Sequence, residues 1–220
     1  MKTPFLSILT LLLAATFARA DWVLVQKTDA GGQSIEVTTK IKGDLARVDQ
    51  GDKMTVIVGA EGMTMLMHAQ KMLMKMDLAT VKAAVEMAGK AMPGQQAAAK
   101  PVATGQKEKV GEWNAEIFTW EGQMGKGRFW VTKDFPKYQE INAISDKLGK
   151  VVGKAMSGLA PQASDFDGMV VKSEMTMMGK SVNSQLVSAK EETLDAKEFA
   201  PPADYNEMKM PAMPGAAPSK

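Results

Sequence analysis

Met63-Thr64-Met65-Leu66-Met67-His68-Ala69-Gln70-Lys71-Met72-Leu73-Met74-Lys75-Met76-Asp77 carries a methionine at every second position on both sides of a short turn. A period of two sends successive side chains to opposite faces of a β-strand. Met63, Met65 and Met67 therefore share one face of a strand, with Thr64 and Leu66 on the other. After the turn near Ala69-Gln70, Met72, Met74 and Met76 repeat the pattern against Leu73, Lys75 and Asp77. The stretch reads as a β-hairpin in which each trio of thioethers forms a row on one sheet face.

Working outward, the same period recurs. Ile35, Val37, Thr39 and Ile41 alternate with Glu36, Thr38, Lys40 and Lys42. Trp22 to Lys27 precedes them as a strand, joined through Asp29-Ala30-Gly31-Gly32, a turn sequence. Leu45 to Gln50 and Met54 to Val58 follow, each after a Gly/Asp pair. Downstream of the hairpin the period changes. Leu78, Val81, Val85, Ala88 and Met92 step by three and four, which is one face of a helix. Residues 93–106 show no period and read as a flexible insertion. Strands resume at about Lys107 to Trp120 and Gly127 to Thr132. Asp134-Phe135-Pro136 opens a second helix with the stripe Tyr138, Ile141, Ile144, Leu148, Val152 and Ala155. Met169 to Met177 and Ser181 to Lys190 close the pattern, and residues 209–220 read as a disordered tail. The expected fold is α+β and mainly antiparallel β. It is a curved, incomplete barrel of about ten or eleven strands in meander order, with helices covering its concave face. One such domain spans 21–208.

The chain starts like an exported protein. Lys2 precedes an apolar run from Phe5 to Phe17, and Ala18-Arg19-Ala20 offers small residues to a signal peptidase, so residues 1–20 are expected to be removed. The run is too short for a membrane anchor, and no second such run follows. Loss of Lys2 and Arg19 from the 27 basic residues leaves 25 against 25 acidic ones, which argues against a nucleic-acid partner. With no cysteine there are no disulfides, thiolate metal sites or thiol nucleophiles. The compositional outlier is methionine, with 19 residues.

Thioethers are soft ligands that suit Cu(I), and export is compatible with copper handling. Methionine is also a flexible filler of irregular apolar space, so lining of a core or lipid cavity is the stronger reading of Met63, Met65, Met67, Met72, Met74 and Met76. Met208, Met210 and Met213 in the tail offer a further thioether group. His68 is the sole histidine and reads as a surface residue at a hairpin end; alone it cannot build a zinc site. Ser157 is not in a nucleophile elbow. Gly179-Lys180-Ser181 lacks the earlier glycine of a phosphate-binding loop. Asp165-Phe166-Asp167-Gly168 lacks the ligands of a calcium loop. Trp113, Trp120 and Trp130 read as core residues on or beside central strands, with the mouth of a cavity as the alternative place for them. No catalytic residues, cofactor or metal are expected, and the protein reads as a non-enzyme.

Three segments carry a family resemblance: Met63–His68 with Lys71–Leu78, Phe129-Trp130-Val131-Thr132-Lys133-Asp134, and Phe199-Ala200-Pro201-Pro202-Ala203-Asp204-Tyr205. Together they resemble the exported bacterial domain-of-unknown-function 4412 family, itself similar to the lipoprotein-carrier superfamily of localisation factors A and B. The resemblance covers most of 22–208 and implies a half-barrel capped by helices around an apolar cavity. The function it implies is binding or carriage of a lipid or acyl chain in the periplasm or outside the cell. A methionine-rich copper-binding protein and a structural or partner-binding envelope protein are the alternatives.

Overall fold

The structure, a computed structural model, describes residues 21–81, 83, 99–122, 125–152 and 160–208, with side chains in the helix described to residue 146. The expected signal segment, the first helix stripe beyond residue 83, residues 93–98 of the insertion, Ser157 and the tail from 209 lie outside these residues.

Alternating residues between Trp22 and Asp77 build six strands in a row. They are β1 (Trp22–Ala30), β2 (Gln33–Lys42), β3 (Leu45–Gln50), β4 (Met54–Gly59), β5 (Gly62–Met67) and β6 (Met72–Asp77). The connections are two to four residues long, so each strand pairs antiparallel with the one before it. Left-handed backbone is supplied where the turns need it, as at Gly31 (φ 59°) and Gly32 (φ 82°). Gly62 faces a tighter demand: a Cβ there would stand 2.2 Å from the Met76 carbonyl oxygen of the neighbouring strand.

A second run comprises β7 (Val102–Val110), β8 (Trp113–Gly122), β9 (Gly125–Thr132), β10 (Met169–Met177) and β11 (Lys180–Glu191). β11 then pairs antiparallel with β1, which joins the two runs into one open sheet. Its order is β12-β6-β5-β4-β3-β2-β1-β11-β10-β9-β8-β7, where β12 (Asn206–Glu207) lies parallel on the outer edge of β6. The architecture is thus mainly antiparallel β in a single unclosed sheet with few helices.

Between β9 and β10 the chain forms the helix Tyr138–Val152. It puts Ile141 and Ile144 into a cluster with Trp22, Leu24, Ile41, Trp130, Phe135 and Leu186. A second, aromatic cluster gathers Trp120, Phe129, Val131 and Phe166, with Phe118 packed beside them. Of the first expected helix, residues 78–81 are helical, with the Thr80 N–H donating to Asp77 Oδ1 at 2.7 Å and Val81 buried.

Three sequence expectations change. Twelve strands replace ten or eleven. The insertion at 93–106 is cut short, because β7 begins at Val102. Its side chains are exposed at every position but the last, and its register slips between Ala103 and Lys107. A solvated edge strand with a bulge has no apolar alternation to read. The tryptophans of β8 and β9 sit near that edge, while the central strands are β2 and β1.

Candidate ligand-binding face

Directly opposed residues of neighbouring strands share a sheet face. The registers of β1–β6 therefore define unbroken rows. One runs Trp22, Ile41, Ala46, Val58, Met63, Met76. The next runs Leu24, Thr39, Val48, Val56, Met65, Met74, and the third Gln26, Val37, Gln50, Met54, Met67, Met72. All six sequence-selected methionines lie on one face and pair with one another across β5 and β6. Met54 extends the third row, a position the sequence reading did not select. Burial falls along the first row. Trp22, Ile41, Ala46 and Val58 are buried, while Met63 and Met76 are half-buried. The methionine face therefore continues the face that meets Ile141 and Ile144 of the helix.

The opposite face of the same strands is built differently. After β11 the chain crosses β2–β6 as an extended strap, residues 192–208, and ends as β12. Leu194 and Phe199 of the strap bury Ile57, Leu66 and Leu73, with Tyr205 packed alongside. Leu66 is fully buried, so the deepest side chain of the hairpin faces away from the methionines. Polar contacts fix the strap: Lys40 pairs with Glu198 at 2.5 Å, Lys71 with Asp204 at 2.7 Å and Lys75 with Glu207 at 2.9 Å. The Arg47 guanidinium donates to the Glu198 carbonyl at 2.7 Å.

His68 belongs to this strapped side. Thr55 Oγ1 donates its one hydrogen to Asp49 Oδ1 at 2.5 Å, so its contact of 2.9 Å with His68 Nε2 makes the imidazole the donor. His68 Nδ1 is then left to accept from the Tyr205 hydroxyl at 2.5 Å. Burial alone raises the Asp49 carboxyl, but hydrogen bonds from Arg47 and Thr55 outweigh it and hold it below the usual carboxylate range. Asp21 behaves alike: burial raises it, and Lys42 Nζ at 2.7 Å with the Leu194 N–H at 3.0 Å lowers it further. The sequence offered no sign of the Asp49–Thr55–His68–Tyr205 chain, whose members come from β3, β4, the hairpin turn and the strap. Only a register that places Asp49 opposite Thr55 brings them together.

A concave region lies toward the β7 edge. It is a cavity of about 770 Å³ lined by Val102, Trp120, Lys126, Arg128, Glu174 and Met175, among others. Arg128 and Lys172 stand over the Trp130 ring at 4.8 and 4.0 Å from its centre, and the Trp130 indole donates to Glu108 at 2.8 Å. Among the described residues, no group of three or more His, Asp or Glu gathers as a metal site. No helix among them is long and apolar enough to cross a membrane.

The sequence pattern of the family described as domain of unknown function DUF4412 matches residues 25–205, and the chain belongs to that family. No curated protein matches it in sequence. An uncharacterized conserved protein from Thermus thermophilus shares its fold, with 10% identity, a TM-score of 0.52, and coverage of 86% of this chain and 90% of that one. The Pseudomonas aeruginosa MucA/MucB complex aligns at 9% identity and a TM-score of 0.46 over 88% of this chain and 59% of that one. The Mycobacterium tuberculosis lipoprotein LppX aligns at 9% identity and a TM-score of 0.38 over 80% and 88%.

Proposed function

We propose that this DUF4412 protein is an exported, non-enzymatic binder of an acyl chain or a comparable apolar ligand, received on the methionine face of β4–β6. One observation carries the reading: the rows that start at Trp22 and Leu24 run without a break from side chains packed in the core to half-buried thioethers, and a third row beside them ends in Met54, Met67 and Met72. A ligand laid along Met63, Met65, Met67, Met72, Met74 and Met76 would extend the core outward. Each Å² of apolar surface it removes from water contributes about 25 cal/mol before the costs of binding. Unbranched thioether side chains re-pack at low cost, so the face suits chains of variable length and saturation. The strap packs on the other face, so among the described residues it does not cover the methionines. Export is supported by the apolar run and small-residue cleavage sequence of 1–20.

The test is to purify the protein from its exported location, denature it and identify released molecules by mass spectrometry. Wild type is expected to release fatty-acyl species. A Met65→Lys/Met74→Lys variant, which plants two charges in the middle row, is expected to release none while exporting normally. Absence of lipid from the wild type, or its full retention by the variant, defeats the reading.

A further inference from the structure

We infer that Met54, Met67 and Met72 form a binding site for a soft monovalent cation, with Cu(I) as the physiological species. The three are consecutive partners in one row, Met54 opposite Met67 and Met67 opposite Met72. In the two rows beside it the β4 position is Val56 or Val58, so this row alone on the hairpin joins three thioethers.

The geometry fits a single ion. Neighbouring strands lie about 4.8 Å apart, and directly opposed side chains start from Cβ atoms roughly 5 Å apart. Two sulfurs on one ion, each with a metal–sulfur bond of about 2.3 Å, stand at most about 4.6 Å from each other. Met67 in the middle needs little displacement, and Met54 and Met72 lean inward through their three side-chain torsions. All three are half-buried, which leaves a path for the ion while shielding it from water.

The donor set decides the class of ion. Neutral thioethers select Cu(I) and its chemical analogue Ag(I) over Zn(II), Ca(II) and Cu(II), which favour imidazole, carboxylate or tetragonal N/O ligands. The one imidazole nearby is committed, since both His68 nitrogens are engaged by Thr55 and Tyr205 on the strapped side. The nearest residues of the row on β3 and β2 are Gln50 and Val37, which bring no charge. The chain has no cysteine to outcompete the thioethers. Binding involves no change of oxidation state.

Silver(I), which is redox-inert, is the probe, titrated calorimetrically into the mature chain, with Cu(I) competed against a chromophoric chelator. One ion per chain is expected at this row. A Met54→Leu/Met67→Leu/Met72→Leu variant keeps side-chain volume and apolarity. It is expected to lose more than about tenfold in Ag(I) affinity while its unfolding midpoint stays near wild type. Ag(I) binding and released lipid are separate readouts on the wild-type protein, so the metal site can fail without the lipid reading failing, and the reverse. No Ag(I) binding by wild type overturns the inference, as does undiminished binding by the triple variant. Loss caused instead by Met208→Leu/Met210→Leu/Met213→Leu would move the site to the tail and also overturn it.

Discussion

Apart from Trp22, the β1–β6 arm of the sheet packs with aliphatic and thioether side chains, whereas the β7–β11 arm adds a cluster of rings. On the first arm the three rows end in methionines, and the reverse face is closed by Leu194 and Phe199 of the strap over Leu66 and Leu73. On the second, Trp120, Phe129 and Phe166 pack together, and Phe135 stands 5.1 Å from Trp113 between ring centres. Rings with two torsions hold one arrangement, and thioethers with three adapt. One arm is therefore suited to fix the fold and the other to accommodate a guest.

That contrast is sharpest at Trp130, which is 1% exposed, hydrogen-bonded to Glu108 and stacked under two cations. Trp130→Ala is expected to destabilise by about 3–5 kcal/mol in denaturant titration, the largest single effect on either arm. A loss under about 1 kcal/mol would mean that the aromatic arm is as yielding as the other. On the strapped face, Thr55→Val keeps the volume but takes one partner each from Asp49, which Arg47 still holds, and from His68 Nε2. It is expected to cost about 1–3 kcal/mol, read as a lower unfolding midpoint.

The same network sets the acid limit of stability. The Asp49 and Asp21 carboxyls are held below their ordinary value in the folded chain. The unfolded chain therefore takes up protons first as pH falls, so this stabilisation is whole above about pH 4 and is lost progressively below it. Asp49→Asn is expected to flatten stability against pH below about pH 4, measured as urea midpoints. An unchanged slope would show that the pairing with Arg47 and Thr55 does not persist in solution. The smallest effect belongs to the methionine rows. Met74→Leu is expected to shift stability by less than about 1.5 kcal/mol, because the site re-packs around an apolar side chain of like volume.

The period of two was enough to read β1–β6 and to group the six methionines, because a strand half-buried on one face prints that burial into its sequence. The first half of β7 was illegible for the converse reason: Thr104 and Gln106, like the residues around them, are solvated at the sheet edge. The strap was missed because Leu194, Phe199 and Tyr205 are spaced by neither two nor three to four. They are anchored instead by Asp195, whose carboxylate caps the short turn Ala196–Phe199. His68 passed for a surface residue since its partners, Thr55 and Tyr205, lie 13 and 137 positions away.

A fatty acid carrying a photoreactive diazirine near its methyl end, irradiated with the exported protein and mapped by peptide mass spectrometry, decides between the two arms. Adducts on the peptides holding Met63–Met67 and Met72–Met76 are the predicted result. Adducts confined to the cavity at Val102, Trp120 and Met175, or none above a detergent control, would contradict a ligand surface on the methionine face.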